Sequence, residues 1–345
     1  MSEPIGIDRP SVERWIDVHV DELTGPYRWR QLSGGHSNLT YLVEGGDGTR
    51  VVVRRPPLGQ LQPRAHDMHR EYRIVCSLAP TDVPVARPYA YCADADVTGA
   101  HFYVMAFVDG SAAPRGADLA ALIPDPAAQR AVAESFLEAL AALHLLDPGD
   151  IGLGDLSRPD GYLERQLTSW YRSWTTSAEA AGLDDPRSHE LHDLLRSHQP
   201  EPGPTRVIHG DYGFHNCLVV PAGRVAAVVD WEVATLGDVR ADLAYVLNRW
   251  SVEGAELPGR EELTMPPSFP SLAEAITIYQ AMTGADLADL DYFITFNHWR
   301  SACIAHGVYT RYVRGQKPTE GVDVEGFRRS VDARLSAAMT SAASI

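Results

Sequence analysis

Before about residue 110 the chain reads as short strands, and after it as helices; this switch limits the possible folds more than any other feature. The first region holds YRWRQL (27–32), LTYLVE (39–44), RVVVRR (50–55), RPYAYC (87–92) and HFYVMAFV (101–108). Each is rich in β-branched or aromatic residues, and turns such as EGGDGT separate them. Within it, AHDMHREYRIVCSLA (65–79) places Met68, Tyr72, Val75, Cys76 and Ala79 at helical spacing. The pattern predicts a small sheet with one helix.

In the second region, AAQRAVAESFLEALAALHLL (127–146) repeats Val132, Phe136, Leu140 and Leu143 on one helical face. Further helices are expected over about 161–178, 187–198, 240–250, 271–283, 288–312 and 322–342. One stretch breaks the rule: CLVV (217–220), the turn PAGR and then VAAVVD (225–230) read as a hairpin of two buried strands. A chain of 345 residues exceeds the size at which single cores stop growing. The expected architecture is α+β and two-lobed: a small antiparallel-sheet lobe over 1–107 and a larger, mostly helical lobe over 108–345.

Charge narrows the partners. A formal net charge of −16 argues against nucleic acid and anionic membranes, which reward clustered Lys and Arg, and mildly favours a neutral or cationic small molecule. No run approaches the ~18–20 apolar residues of a membrane helix, and MSEPIGIDRPSVERW lacks a signal-peptide pattern, so a cytoplasmic location is expected. Cys76, Cys92, Cys217 and Cys303 form no CxxC pair and read as buried thiols. Oligomeric state leaves no mark in the sequence.

The segment VIHGDYGFHNCLVV (207–220) concentrates polar groups immediately before the hairpin. The hairpin folds the chain back, so Asn216 at its entrance and Asp230 at its exit should arrive side by side. A carboxylate and an amide oxygen, with room for water, suit Mg²⁺ completed by substrate phosphates. Asp211, on the same loop, could orient an attacking hydroxyl and accept its proton. These are the parts of phosphoryl transfer.

HGDYGFHN (209–216), DWE (230–232) and GDVRADLA (237–244) resemble the signature blocks of the aminoglycoside phosphotransferase family, whose fold is similar to that of protein kinases. The likeness covers nearly the whole chain: QLSGGHSNLTYLV (31–43) resembles the nucleotide loop, VVVRR (51–55) the third strand, REYRIVCSLA (70–79) the lobe helix and FYVMAFVDG (102–110) the hinge. It is especially similar to the subgroup that includes the kinase-like domains of some acyl-CoA dehydrogenase proteins. The resemblance implies ATP and Mg²⁺ as cofactors, Asp211 as catalytic base, and Asn216 and Asp230 as metal ligands. It also implies a phosphate-covering loop at Ser33, Gly34, Gly35, Ser37 and Asn38, with backbone groups of Ala106 and Val108 holding the adenine.

The chain departs from the kinase pattern where that pattern has a strand Lys paired with a helix Glu. The only Lys in the sequence is Lys317, so Arg54 takes the place, with Glu71 as partner. Arg can bind phosphate and carboxylate through its planar fork. Strand alternation would send Arg55 to the opposite face.

The activity implied is transfer of the γ-phosphoryl group to a hydroxyl of a small molecule, aminoglycoside-like or another hydroxylated metabolite. A hydroxyacyl compound or its CoA thioester is an alternative acceptor, and Arg311, Arg314 and Lys317 could supply a basic patch for it. A nucleotide-binding pseudoenzyme acting as an interaction module is the rival of another class. Bland readings cover the rest: His209 braces the loop, and His215 faces solvent or packs locally. Glu232 is a further ligand or a brace, Asp238 caps a helix and Asp242 reaches back to the loop. His144 packs, and FITFNHWRSACIAHGVYTRYV (293–313) is a core helix with one polar side.

Overall fold

A computed structural model describes residues 4–32, 38–58, 67–158, 161–252 and 264–345. The chain opens with α1 (Arg9–His19), capped by Asp8, and then lays down β1 (Arg28–Gln31), β2 (Leu39–Glu44) and β3 (Arg50–Arg55). α2 (Met68–Leu78) follows, with Asp67 accepting from the Arg70 N–H at its start, then β4 (Pro88–Cys92) and β5 (Phe102–Ala106). The five strands form one antiparallel sheet in the order β1-β2-β3-β5-β4. One face of that sheet buries Tyr41, Val43, Val51, Val53, Phe102 and Val104 against Val12 and Ile16 of α1. The Cβ alternation of a strand sends the neighbouring residues, Arg54 among them, to the other face.

Beyond the sheet come α3 (Gly116–Leu122), α4 (Pro126–Leu145), α5 (Tyr162–Ala181) and α6 (Pro186–Ser197). Short strands then alternate with turns: β6 (Thr205–Ile208), β7 (Cys217–Val220), β8 (Arg224–Val228) and β9 (Thr235–Asp238), followed by α7 (Val239–Leu247). A parallel pair, β10 (Ser251–Val252) and β11 (Thr264–Met265), precedes α8 (Leu272–Thr283), α9 (Leu290–Val313) and α10 (Val324–Ala342). The architecture is the two-lobed, kinase-like one.

β7 and β8 form the hairpin foreseen from the sequence, with Cys217 opposite Val228. β6 and β9 pair antiparallel across the same loop, Ile208 opposite Thr235, so the segment 209–216 is anchored at its start by one ladder and at its end by the other. α2 belongs to both lobes. It starts beside the sheet, yet Ile74, Val75 and Leu78 sink into the large core of the helical lobe, together with Phe136, Leu140, Val219 and Val228. Among the described residues, no helix is long and apolar enough to cross a membrane.

Candidate active site

The loop after β6 owes its shape to buried hydrogen bonds. Asp242, one turn into α7 and almost wholly buried, accepts from the backbone N–H of His209 at 2.6 Å and of Gly210 at 2.8 Å. Burial by itself would raise its carboxyl, but His144 at 3.4 Å and the Gly210 N–H hold it below the ordinary range. His144 is fixed in turn by the Tyr279 hydroxyl, 2.7 Å away. Gly210 adopts φ +81°, a left-handed conformation open to glycine at little cost. His209 is buried against Trp231, with its Nε2 3.0 Å from the Val229 carbonyl, and burial lowers its pKa so that the ring stays neutral.

This frame presents Asp211 at the rim of a cavity. The Tyr245 hydroxyl donates to Asp211 Oδ1, His215 Nε2 lies 3.2 Å from the same oxygen, and the Asn216 amide donates to Oδ2 at 3.2 Å. Burial would raise the carboxyl of Asp211, but the bond and charge of His215, the Tyr245 hydroxyl and the charge of Arg249 outweigh it and hold it well below the usual carboxylate range. Asp211 is therefore ionised at neutral pH. The hydroxyl of a ligand in the cavity could donate to it.

Asn216 commits its Nδ2 to Asp211, with a second bond to that residue's carbonyl at 3.0 Å, which leaves Oδ1 as the end free for a ligand. Its own carbonyl accepts from the Val229 N–H at 2.9 Å, so the hairpin brings residue 216 beside residue 230. Among the described residues, Asp230 is the one non-glycine residue with positive φ, +68°. Such conformations concentrate where the surroundings demand them. One carboxylate and one amide oxygen, both hard donors, fit Mg²⁺ better than a softer metal.

Arg54 spans the space between the lobes. It pairs with Glu71 of α2 at 3.0 Å and with Asp230, and its Nη1 lies 3.4 Å from Thr40 Oγ1. Burial works against the Arg54 charge, but Glu71, Tyr103 and Asp230 more than restore it. Arg55 points the other way, its Nη1 donating to the Thr98 carbonyl at 3.0 Å. A narrow crevice beside Arg54 is lined by Ala86, Tyr103, Met105, Val228 and Trp231. Asn38 donates to Glu232 at 3.1 Å, and its buried Oδ1 has no hydrogen-bond partner among the described residues. Arg70 binds the carbonyls of Glu232 and Ala234. The sheet lobe thus grips the segment after Asp230 at several points.

A sequence model of the phosphotransferase enzyme family matches residues 28–273. The chain belongs to that family. This family member is 34% identical over 325 residues to acyl-CoA dehydrogenase family member 11 of Gallus gallus, covering 91% of the present chain and 41% of that protein. Against the Homo sapiens protein of the same name the identity is 31% over 322 residues, covering 91% and 40%. The phosphotransferase-family chain therefore spans about two fifths of the length of these curated relatives. A crystal structure of a candidate aminoglycoside phosphotransferase from Ralstonia eutropha JMP134 superimposes with a TM-score of 0.80 at 30% identity, covering 96% of this chain and 98% of that one. The aminoglycoside phosphotransferase APH(4)-Ia, solved with AMP-PNP and hygromycin B, shares the fold at 16% identity, with a TM-score of 0.61 over 97% of this chain and 100% of the other.

In this family member Asp211, Asn216, Asp230, Arg54 and Glu71 lie together. Ser33, Gly34, Gly35 and Ser37 fall outside the described residues. Ala106 spends its N–H on the Arg87 carbonyl at 2.8 Å, so its carbonyl is what it can offer a ligand, and Val108 lies two residues past the end of β5. The expected roles of His209, Asp238 and Asp242 match their contacts, Asp238 capping α7 through the Arg240 N–H at 3.0 Å. His215 differs from its expected solvent or packing role. As the residue four after Asp211, it is turned back onto that carboxylate by the tight loop. The sequence does not mark Tyr245 as a site residue; its one signal is its place three residues after Asp242 on α7, behind the loop.

Proposed function

We propose that this chain is an ATP- and Mg²⁺-dependent kinase of a small molecule, transferring the γ-phosphoryl group to a hydroxyl. The observation that carries the reading is the convergence of Asp211 and Asn216 of one loop, Asp230 after the hairpin and Arg54 of the sheet in a phosphotransferase-family fold. The division at residues 107 and 108 would put the nucleotide between the sheet lobe and the helical lobe. Ser33, Gly34, Gly35, Ser37 and Asn38 would cover the phosphates, and the Ala106 carbonyl and Val108 backbone would meet the base.

Asp211 would hold the acceptor hydroxyl and take its proton as the new O–P bond forms and the bond to the departing ADP breaks. Its low pKa suits a group that orients a hydroxyl and accepts the proton late. Asn216 Oδ1 and the Asp230 carboxylate would hold Mg²⁺, which, when bound, offsets charge on the phosphates. Arg54, kept in place by Glu71, would add a second cation. The catalytic contribution is positioning and electrostatics, and no covalent enzyme intermediate is formed.

The names of the curated relatives favour one second reading, in which the acceptor is a hydroxyacyl compound or its CoA thioester. The test is a phosphoryl-transfer screen over aminoglycosides, macrolides, sugars, amino alcohols, hydroxy acids and hydroxyacyl-CoAs, with ADP release as the readout. At least one class should raise ADP release well above the acceptor-free rate. Nucleotide binding without stimulation by any class would support an interaction module instead.

A further inference from the structure

The cavity in front of Asp211, about 500 Å³, is lined by three arginines from different parts of the helical lobe. Arg249 lies two residues past α7, Arg300 in the middle of α9 and Arg334 in the middle of α10. Among the described residues none of the three forms an ion pair with a carboxylate. Arg300 donates Nη2 to the Gly210 carbonyl at 3.0 Å and lies 5.6 Å from the Tyr245 ring centre. Arg249 stands 4.4 Å from the same ring, and Arg334 Nη1 donates to the Ser330 carbonyl at 3.2 Å. The Nε atoms of Arg300 and Arg334 are buried and have no hydrogen-bond partner among the described residues.

Three half-buried guanidinium groups facing one carboxylate leave uncompensated positive charge. Burial, and then the like charge of Arg249, push Arg334 below the ordinary arginine range. A cationic ligand would deepen this repulsion, whereas an oxyanion would relieve it and satisfy the idle N–H groups. The chain's net charge of −16 does not oppose an anion here, because exposed charges more than about 8 Å away are largely screened at physiological salt. Ile304, Val308 and Phe327 line the same cavity and give it an apolar wall.

We propose that this cavity selects an acceptor bearing an oxyanion, a carboxylate or a phosphate, held by Arg249, Arg300 and Arg334. The acceptor's aliphatic part lies on Ile304, Val308 and Phe327, and its hydroxyl reaches Asp211. The inference rests on the phosphotransfer reading and adds to it the charge of the substrate, opposite to that suggested by the overall composition.

The test measures binding and turnover separately on the full chain. Calorimetry with Asp211→Asn, which removes turnover, compares four probes of equal chain length: a hydroxy acid, its methyl ester, an amino alcohol and a monophosphorylated diol. One of the two anions should bind at least ~10-fold tighter than the ester and the amine, the loss expected for a missing bond to a charged group. Which anion prevails identifies the source of the oxyanion. Arg334→Gln and Arg249→Gln should each erase the preference, and Arg334→Lys should restore part of it.

In turnover, Arg334→Gln should raise KM for the preferred anion roughly 10- to 100-fold with little change in kcat. Failure of both anions to outbind the neutral and cationic probes would overturn the inference. So would a fall in kcat of equal size with every acceptor, which would mean that the arginines serve the transferred phosphoryl group. Arginine-dependent anion binding without ADP release from any acceptor would leave the inference standing and remove the kinase reading beneath it.

Discussion

Arg54 and Asp230 form an ion pair between the lobes, the first on β3 of the sheet and the second two residues past β8 of the hairpin. Arg54 holds Glu71 through the same guanidinium, at 3.0 Å. A planar fork can serve two carboxylates at once, and a single ammonium cannot do so in the same geometry. Arg54→Lys should therefore lower kcat/KM for the nucleotide roughly 10-fold, and Arg54→Met roughly 100-fold, in line with about 1.5–3 kcal/mol for a hydrogen bond to a charged group. Steady-state kinetics with varied ATP check this. Equal rates for Lys and Arg would show that only the charge matters.

Asp242 ties the start of α7 to the loop that presents Asp211, through two backbone N–H groups and His144. Asp242→Asn swaps one acceptor oxygen for an N–H group facing another N–H. The variant should melt ~5–10 °C lower and lose kcat by a larger factor than it loses nucleotide affinity. Thermal scans and nucleotide titration read the two effects independently.

Two buried histidines set the acid limb of stability. Burial lowers the pKa of His209, and burial likewise lowers that of His306. In the unfolded chain both would titrate near 6.5. The unfolded state therefore binds more protons just below that pH, and stability must fall as the pH drops through about 6.5. Denaturant titrations from pH 7.5 to 5 should show this slope, at most ~1.4 kcal/mol per pH unit per histidine, and His306→Phe should flatten it. A slope unchanged by His306→Phe would mean that His306 binds its proton equally in the folded and the unfolded chain.

Much of this arrangement was legible in the sequence because it is local. β2 and β3 fall where alternation and turn residues put them, and Asn216 and Asp230 meet because the hairpin from Cys217 to Val228 between them must return the chain. α1 escaped notice since only Val12 and Ile16 of its eleven residues are buried, too few for a clear period; the Asp8 cap and Pro10 were the usable signal. The β6 and β9 ladder is four residues long and joins positions some thirty residues apart, which no local pattern reveals. The same holds for the arginine cluster. In sequence Arg300 stands only as one polar residue of the expected core helix 293–313, a candidate to line an acceptor pocket, and Arg249 and Arg334 carry no signal of a site; the packing of α9 against α10 and α7 brings the three to one cavity.

His215 is a test of loop geometry that sequence alone could not frame. Its imidazole on Asp211 helps hold that carboxyl ionised, after burial has pushed the other way. His215→Ala should move the acidic limb of the kcat/KM profile to higher pH while leaving nucleotide binding within a factor of about 3. A limb that stays in place would assign the ionisation of Asp211 to Tyr245 and Arg249 alone.

The most direct measurement is ADP release by wild type and Asp211→Asn, with ATP, Mg²⁺ and the best acceptor from the screen. Asn preserves the size of the side chain and removes the charge that receives the proton. The wild type should turn over and the variant should fall by ~10²–10⁴-fold, the usual span for a positioned proton acceptor, while ATP affinity holds. Equal rates in the two proteins would contradict the assignment of Asp211 and the kinase mechanism built on it.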